Sequence, residues 1–412
     1  MLEIIAPVAA AFAALDEGGV RWCLLRGADE LARPVGDIDL LVDEQSLDHA
    51  ARILYGLGFG SPNLPGRGSH RFFLSYDAAT GHWIKLDVVT SLDFGRFGEV
   101  RTDAAAVLLA RSVRSQGVPQ PAPGDDYRLL LLHYLLDRSP GRLRHRERLT
   151  AWAVAGRGQL AANAWALPGA LTDALDAAVA QAAWQRVEAM APMVLHALGA
   201  PSRSTRRRRS ANRIAQWLAR RVPRPGAGGA TVALMGPDGS GKSTLLEALA
   251  RDLPVPVRRT YMGAYGASFG PSRRIAGLAL PAKLLKLWRG YAEGSLHAAT
   301  GGITIYDRYP LDAMLAGPGR LSRRSRVRRW ILAHACPPPD LVIILDAPAE
   351  TLFARKPEHD LATFATQRSA YRALAARLAQ GVMLDATRST DSLRREVTEL
   401  VWRRYARRLR RR

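Results

Sequence analysis

Leu234-Met-Gly-Pro-Asp-Gly-Ser-Gly-Lys-Ser-Thr244 is the stretch whose reading decides the fold of this chain. It contains Gly236, then four residues, then Gly241-Lys242-Ser243, the full pattern of a phosphate-binding loop. The apolar run Thr231–Met235 before it predicts a buried strand, and Leu245–Arg251 after it predicts a helix. Strand, glycine-rich turn and helix is the context in which the motif carries chemistry. Gly236, Gly239 and Gly241 let backbone N–H groups, including those of Ser240 and Thr244, turn toward phosphate oxygens at a helix N-terminus. Lys242 can reach the β- and γ-phosphates, and the Ser243 hydroxyl can ligate Mg²⁺. The expectation is a nucleoside triphosphate site.

Working outward, 412 residues are enough for two or three domains, and 48% apolar residues can bury a sizeable core. Cys23 and Cys336 are the only cysteines, which excludes a disulfide framework or a cysteine-ligated zinc and fits a reducing compartment. The opening Met1-Leu-Glu-Ile-Ile carries an acid where a secretory leader needs basic residues. No run approaches the roughly 20 apolar residues of a membrane span, so a cytoplasmic protein is expected. The net charge of +22 admits nucleic acid, anionic membranes or anionic substrates as partners.

At the N-terminal side, residues 2–16 have helical spacing, and Val20–Leu25 predicts a strand ending at Arg26-Gly27. In Gly36-Asp37-Ile-Asp39-Leu-Leu-Val-Asp43, alternation places Asp37 and Asp39 on one strand face. Two carboxylates on one face repel unless a cation lies between them. Asp87, in the strand expected over His82–Val89, is a third candidate, and three such acids can hold the paired Mg²⁺ ions of nucleotidyl transfer. Residues 22–43 and 84–89 resemble the polymerase-beta-type nucleotidyltransferase superfamily, which precedes an Asp-x-Asp strand with a glycine-containing turn and adds a later acid. Here the turn is Leu25-Arg-Gly-Ala28, without the usual Gly-Ser pair.

Residues 101–200 are expected to be mostly helical, with His133 a packed core histidine and Trp152, Trp165 and Trp184 core aromatics. From Ala191 to Pro237 there is no acid, but there are Arg203, Arg206–Arg209, Arg213, Arg220-Arg221 and Arg224. Ile214, Trp217, Leu218 and Val222 recur on one helical face among those arginines, a pattern suited to an anionic membrane surface or to covering a neighbouring domain. Pro223–Gly229 has the composition of a flexible linker, and Trp402–Arg412 is a second basic cluster, expected to be a frayed helix end. Nothing in these clusters resembles a base-reading module, so no specific nucleic acid is expected.

Downstream of the loop, short apolar runs alternate with helical segments, as in a parallel α/β sheet. Gly302–Tyr306 leads into Asp307-Arg308-Tyr309, and ligands sit at the carboxyl ends of parallel strands, so Asp307 and Arg308 should face the phosphates. Pro339–Asp346 and Gly381–Asp385 are further strands, a helix over 390–408 follows, and Thr351–Ala362 is expected to form a helical lid bearing Arg355 and Lys356. The loop, then Asp-Arg-Tyr, then Leu345-Asp-Ala-Pro348 and an arginine-bearing lid resemble thymidylate kinase over about residues 230–400. That resemblance implies that Asp238 contacts an acceptor hydroxyl, that Arg308 holds the acceptor phosphate, and that Arg355 and Arg368 serve the lid. It implies ATP and Mg²⁺ as cofactors, with Ser243 and Asp307 at the metal, and often a homodimer. Leu234-Met235 stands where the family has Phe-Glu, and Pro310-Leu-Asp-Ala-Met314 replaces its Ser…Ala-Tyr-Gln run.

The expected architecture is α/β. A nucleotidyltransferase-like α+β domain spans 1–125, a helical appendage 126–200, an Arg-rich linker 201–229, and a P-loop kinase domain with a parallel sheet 230–412. The leading functional expectation is ATP-dependent phosphoryl transfer to a small phosphorylated acceptor such as dTMP, with Lys242, Asp307, Arg308 and Arg355 as its machinery. A sugar phosphate or other metabolite as acceptor, and a nucleotide-binding scaffold docking through arginine clusters, stay open beside it.

Overall fold

The computed structural model describes residues 3–28, 31–32, 36–62, 69–95, 98, 100–137, 140–199, 202–221, 228–263, 279–315 and 322–410. They form two compact units, Met1–Ser75 with Trp83–Val222, and Tyr76–His82 with Pro223–Arg412.

The first unit begins with α1 (Ala6–Glu17), β1 (Trp22–Leu24), β2 (Ile38–Val42), α2 (Leu47–Gly56), β3 (Arg71–Asp77) and β4 (His82–Val89). Its four-stranded sheet has the order β1-β2-β4-β3, with β1 antiparallel and β4 parallel to β2. Strand alternation divides the side chains between two cores. Ile38, Leu40 and Val42 pack with Phe12 of α1 and Leu54 of α2, whereas Cys23, Leu41 and Val89 pack on the opposite side with the helices that follow. Asp39 and Asp87 are register partners on that second face. Asp37 lies just before β2.

The opening part of residues 101–200 is less helical than expected, and the non-helical stretch covers residues 92–120. They contain two small antiparallel pairs, β5 (Leu92–Phe94) with β6 (Val100–Thr102), and β7 (Val113–Ser115) with β8 (Val118–Gln120), separated by α3 (Ala104–Arg111). The second pair turns through Gln116 and Gly117, both with positive φ (52° and 89°), the two-residue geometry that matches strand twist. Then come α4 (Pro123–Leu136), a 3-10 helix at Pro140–His145, α5 (Arg146–Val154), α6 (Gly169–Ala180), α7 (Trp184–Ala189) and α8 (Ala191–Ala197). Trp165 is buried, and Trp152 and Trp184 are half-buried against the same core.

The basic segment is a helix, α9 (Arg203–Arg221), with Arg203, Arg206, Arg207, Arg209, Arg213 and Ile214 exposed. The rest of the apolar face read there, Trp217, Leu218 and Val222 with Arg220 and Arg221, lies outside the described side chains. So does most of the Pro223–Gly229 linker.

In the second unit, β9 (Ala230–Met235), α10 (Lys242–Asp252), β10 (Val257–Tyr261), α11 (Ala279–Ala299), β11 (Ile303–Asp307), α12 (Arg323–Ala333), β12 (Leu341–Asp346), α13 (Ala349–Arg355), α14 (Leu361–Arg377), β13 (Gly381–Asp385) and α15 (Thr390–Arg410) build one sheet and its helices. All five strands are parallel, in the order β10-β11-β9-β12-β13. Helices on both faces of such a sheet explain why β9, β11 and β12 are near-continuous apolar runs. Val232, Ile305 and Ile343 are almost fully buried, each contributing about 1.5–3 kcal/mol by transfer from water. The basic stretch expected to fray is helical as far as it is described: α15 runs to Arg410 because Val397, Val401, Trp402 and Tyr405 are buried along one side. No described helix is long and apolar enough to cross a membrane.

Candidate active site

The order β11-β9-β12 makes β9 the strand from which neighbouring connections diverge to opposite sides, and its carboxyl end opens onto a crevice. Gly236, Gly239 and Gly241 take φ values of 141°, 81° and 89°, the region that favours glycine. The space is as restrictive as the dihedrals. A Cβ on Gly236 would stand 2.7 Å from the Leu345 carbonyl oxygen, and one on Gly239 2.9 Å from that of Leu352. Gly241 caps α10, which places Lys242 on its first turn. The ammonium folds back to donate to the carbonyls of Gly236 (2.9 Å) and Pro237 (2.7 Å) and is only 8% exposed. Burial, followed by the nearby Arg308 cation, pushes its pKa down to about 8 against the pull of Asp238, Asp312 and Asp307. Ser240 is buried, and its hydroxyl has no hydrogen-bond partner among the described residues.

A cleft of about 630 Å³ faces this loop. Its walls bring together Asp238, Gly239, Ser240, Gly241, Lys242, Ser243 and Thr244 with Asp307, Arg308 and Arg355. Asp307 closes β11, and the Arg308 N–H continues the ladder by donating to the Leu234 carbonyl at 3.0 Å. Arg308 then turns with φ 62°, a strained conformation for a side chain of that size. Its guanidinium donates to Asp238 at 2.5 Å and stands 3.7 Å from Asp312. Burial opposes the Arg308 charge, but Asp312, Tyr371 and Asp238 together raise its pKa. Asp238 titrates below the usual carboxylate range: burial works against this, while Arg308 and Lys242 more than offset it.

Asp312 is the group that sequence reasoning missed. It belongs to the 3-10 helix Pro310–Met314, is buried, and accepts a hydrogen bond from the Tyr371 hydroxyl of α14 at 3.1 Å. Burial pushes its pKa up to about 6 despite the adjacent Arg308. Its only signal in the sequence was the departure after Tyr309; the partner from α14 is 59 residues away.

The lid differs from the expected single segment. α13 ends at Arg355, Lys356 is extended, and a new helix starts at Leu361 with Asp360 capping Thr363. Pro357 explains the break, since the residue before a proline is driven out of the helical region. Arg355 and Lys356 line the cleft, joined by Arg388. Arg368 does not line it. Together with Arg372 it binds Asp346 at 2.8–3.2 Å, and these hydrogen bonds keep that carboxyl low although burial would raise it.

In the first unit, Asp37, Asp39 and Asp87 share the wall of a cavity of about 710 Å³ with Arg26, Gly27 and Ala28. Each acid has a different partner: Asp39 pairs with Arg26 at 2.6 Å, Asp37 with Lys85 at 2.7 Å, and Asp87 with the His70 ring at 2.8 Å. Burial raises the pKa of Asp39, with Arg26 opposing and Asp87 and Asp37 reinforcing. No group of three His, Cys, Asp or Glu side chains among the described residues could hold a metal ion. His133 is not a core residue; it pairs with Asp137 one turn on and faces a smaller cavity shared with His70 and Asp87.

No protein-family model matches this chain, and no curated protein does. Among solved structures, thymidylate kinase from Candida albicans is similar, with 19% identity and a TM-score of 0.32, over 42% of this chain and 91% of that one.

Proposed function

We propose that the second unit is a kinase that transfers the γ-phosphoryl group of ATP to a small phosphorylated acceptor, a nucleoside monophosphate such as dTMP. One observation carries this reading: the buried Lys242, the Ser243 hydroxyl, Asp307, Arg308 and Arg355 line a single cleft at the carboxyl ends of β9 and β11. The residues fit a triphosphate. Close approach of backbone is reserved by Gly236 and Gly239, and the Ser240 hydroxyl is a buried donor without a partner among the described residues. The oxygen donors of Ser243 and Asp307 suit Mg²⁺, which when bound neutralises charge on the phosphates.

Phosphoryl transfer asks the protein mainly for alignment and charge neutralisation. Lys242 supplies a cation at the loop, and Arg355 with Lys356 supplies it from the lid side. Arg308 and Asp238 hold each other as they stand. An acceptor phosphate entering on Arg308 releases Asp238 to accept from a hydroxyl of the same acceptor, so one exchange reads both groups. A sugar phosphate is the second reading. It is favoured by the departure after Tyr309, where Pro310-Leu-Asp-Ala-Met314 replaces the run that the resemblance would lead one to expect.

The test is labelled ATP with a panel of nucleoside monophosphates and sugar phosphates. Acceptor-dependent ADP release is expected with one class, and Lys242→Ala should lower it by at least about a hundredfold. Unchanged turnover in that variant overturns the kinase reading. For the first unit, a nucleotidyltransferase-like fold is our reading of the Asp39–Asp87 register, but the three acids do not converge on one ion and we derive no metal-dependent step there.

A further inference from the structure

From Ala313 to Pro339 the chain has no Asp or Glu, and α12 lies inside that stretch with Arg323, Arg324, Arg326, Arg328 and Arg329. Its rotation is fixed from the packed side. Leu332 and Ala333 are buried, and Arg329 folds back to donate to the carbonyls of Ala313 (3.1 Å) and Leu315. The Ser322 hydroxyl caps the first turn by accepting from the Ser325 N–H at 3.2 Å. Arg323, Val327, Trp330 and His334, spaced by four, three and four, then form one exposed line along the helix.

That line differs from an ordinary solvated face. At its centre Val327 is 52% exposed and Trp330 63% exposed. The indole is held outward: the His334 ring stacks on it with centroids 4.7 Å apart, and His334 Nδ1 lies 2.9 Å from the Trp330 carbonyl oxygen. Around this apolar centre stand Arg323, Arg324, Arg326 and Arg328, all exposed and none paired with a carboxylate among the described residues. Arginines on other helices of the unit do find one, as Arg289 does in Glu293 and Arg403 in Glu399. Four like charges within two turns repel each other, and an external anion relieves that repulsion.

The apolar centre selects which anion. A nucleic acid uses the arginines and stacks on Trp330 but leaves the aliphatic Val327 in water. A protein groove needs a longer row of apolar anchors than the two residues between Arg323 and His334. An anionic bilayer uses every group. Val327 and Trp330 enter the boundary between headgroups and acyl chains, while the arginine stems lie flat and their guanidiniums reach lipid phosphates.

We infer that α12 docks the protein on an anionic lipid surface through Val327 and Trp330, with Arg323, Arg324, Arg326 and Arg328 on the headgroups. A helix of 11 residues lies on such a surface and does not span it. The inference does not rest on the kinase reading, because no residue of α12 lines the phosphate cleft.

The test uses the full-length chain with vesicles of phosphatidylcholine, with and without about one part in three phosphatidylglycerol. Co-sedimentation with the anionic vesicles is expected, weakening as salt is raised, with little on the neutral ones. Arg323→Gln/Arg326→Gln should lower the partition coefficient about tenfold or more, the effect of two cations near a charged surface. Val327→Ser/Trp330→Ser should lower it by about as much at unchanged net charge. All four positions are exposed, and a far-UV spectrum matching the parent checks that the fold is kept. Brominated acyl chains should quench part of the tryptophan emission of the bound protein, and Trp330→Phe should remove that part. No binding of the parent to anionic vesicles, no effect of Val327→Ser/Trp330→Ser, or quenching kept in Trp330→Phe would each overturn the docking face. So would equal weakening by Arg206→Gln/Arg207→Gln on α9. A single-stranded oligonucleotide whose binding alone responds to Arg323→Gln/Arg326→Gln would overturn it in favour of nucleic acid.

Discussion

Lys242 concentrates the electrostatics of the proposed reaction in one ammonium group. Its value of about 8 lies below the ordinary 10.5, so the unfolded chain holds this proton more tightly. In the ligand-free protein the stability contributed by this group therefore rises with pH between about 8 and 10.5. A bound polyphosphate restores the charged form. ATP binding at pH 8 should take up protons, seen as a calorimetric enthalpy that varies with the ionisation heat of the buffer, and the uptake should vanish near pH 6 and in Lys242→Met. A buffer-independent enthalpy at pH 8 would contradict the placement of Lys242 against the phosphates. Asp312 has the opposite sign. Its value of about 6 lies above the ordinary 3.8, so its contribution to stability falls as pH rises between those values. Asp312→Asn should flatten the pH dependence of the urea midpoint across that window. At this scale the sequence displayed every loop residue by type and spacing, because the phosphate cradle is local. It gave no view of Asp312 with Tyr371, since only the packing of α14 brings them together.

Among the elements, α15 shows how an expected end becomes a structural support. Its arginines made it look like a tail, but the buried Val397, Val401, Trp402 and Tyr405 recur on one side and seat it in the second unit. Trp402→Ala should cost about 3–5 kcal/mol in denaturant unfolding, as for other buried tryptophans. The exposed Arg403, paired with Glu399 one turn back, should cost at most about 0.5 kcal/mol when replaced by Ala. Equal losses at the two positions would mean that α15 is not docked through this face. The lid gives the complementary lesson. The helical run was legible from Thr351 onward, but Pro357 divides it, and the break lets Arg355 and Lys356 line the cleft while Arg368 stays on Asp346.

At the scale of the whole molecule, a net charge of +22 acts on every anion the protein meets. On α9, Arg203, Arg206, Arg207, Arg209 and Arg213 are exposed. Retention on a polyanion such as heparin should fall steeply with salt, and Arg206–Arg209 changed to glutamine should flatten the logarithmic salt dependence by about three to four. A slope unchanged by those substitutions would place the polyanion contact elsewhere. By itself the sequence determined the parallel sheet around β9 and the phosphate loop with its lysine. It also determined the strand pair bearing Asp39 and Asp87. These follow from local periodicity and from turns that only glycine can make. Tertiary structure alone decided which charges meet: Arg308 between Asp238 and Asp312, and Arg368 on Asp346. A guanidinium can reach many carboxylates in a chain this rich in arginine. The choice among them is made by burial and backbone placement, which no spacing in the sequence encodes.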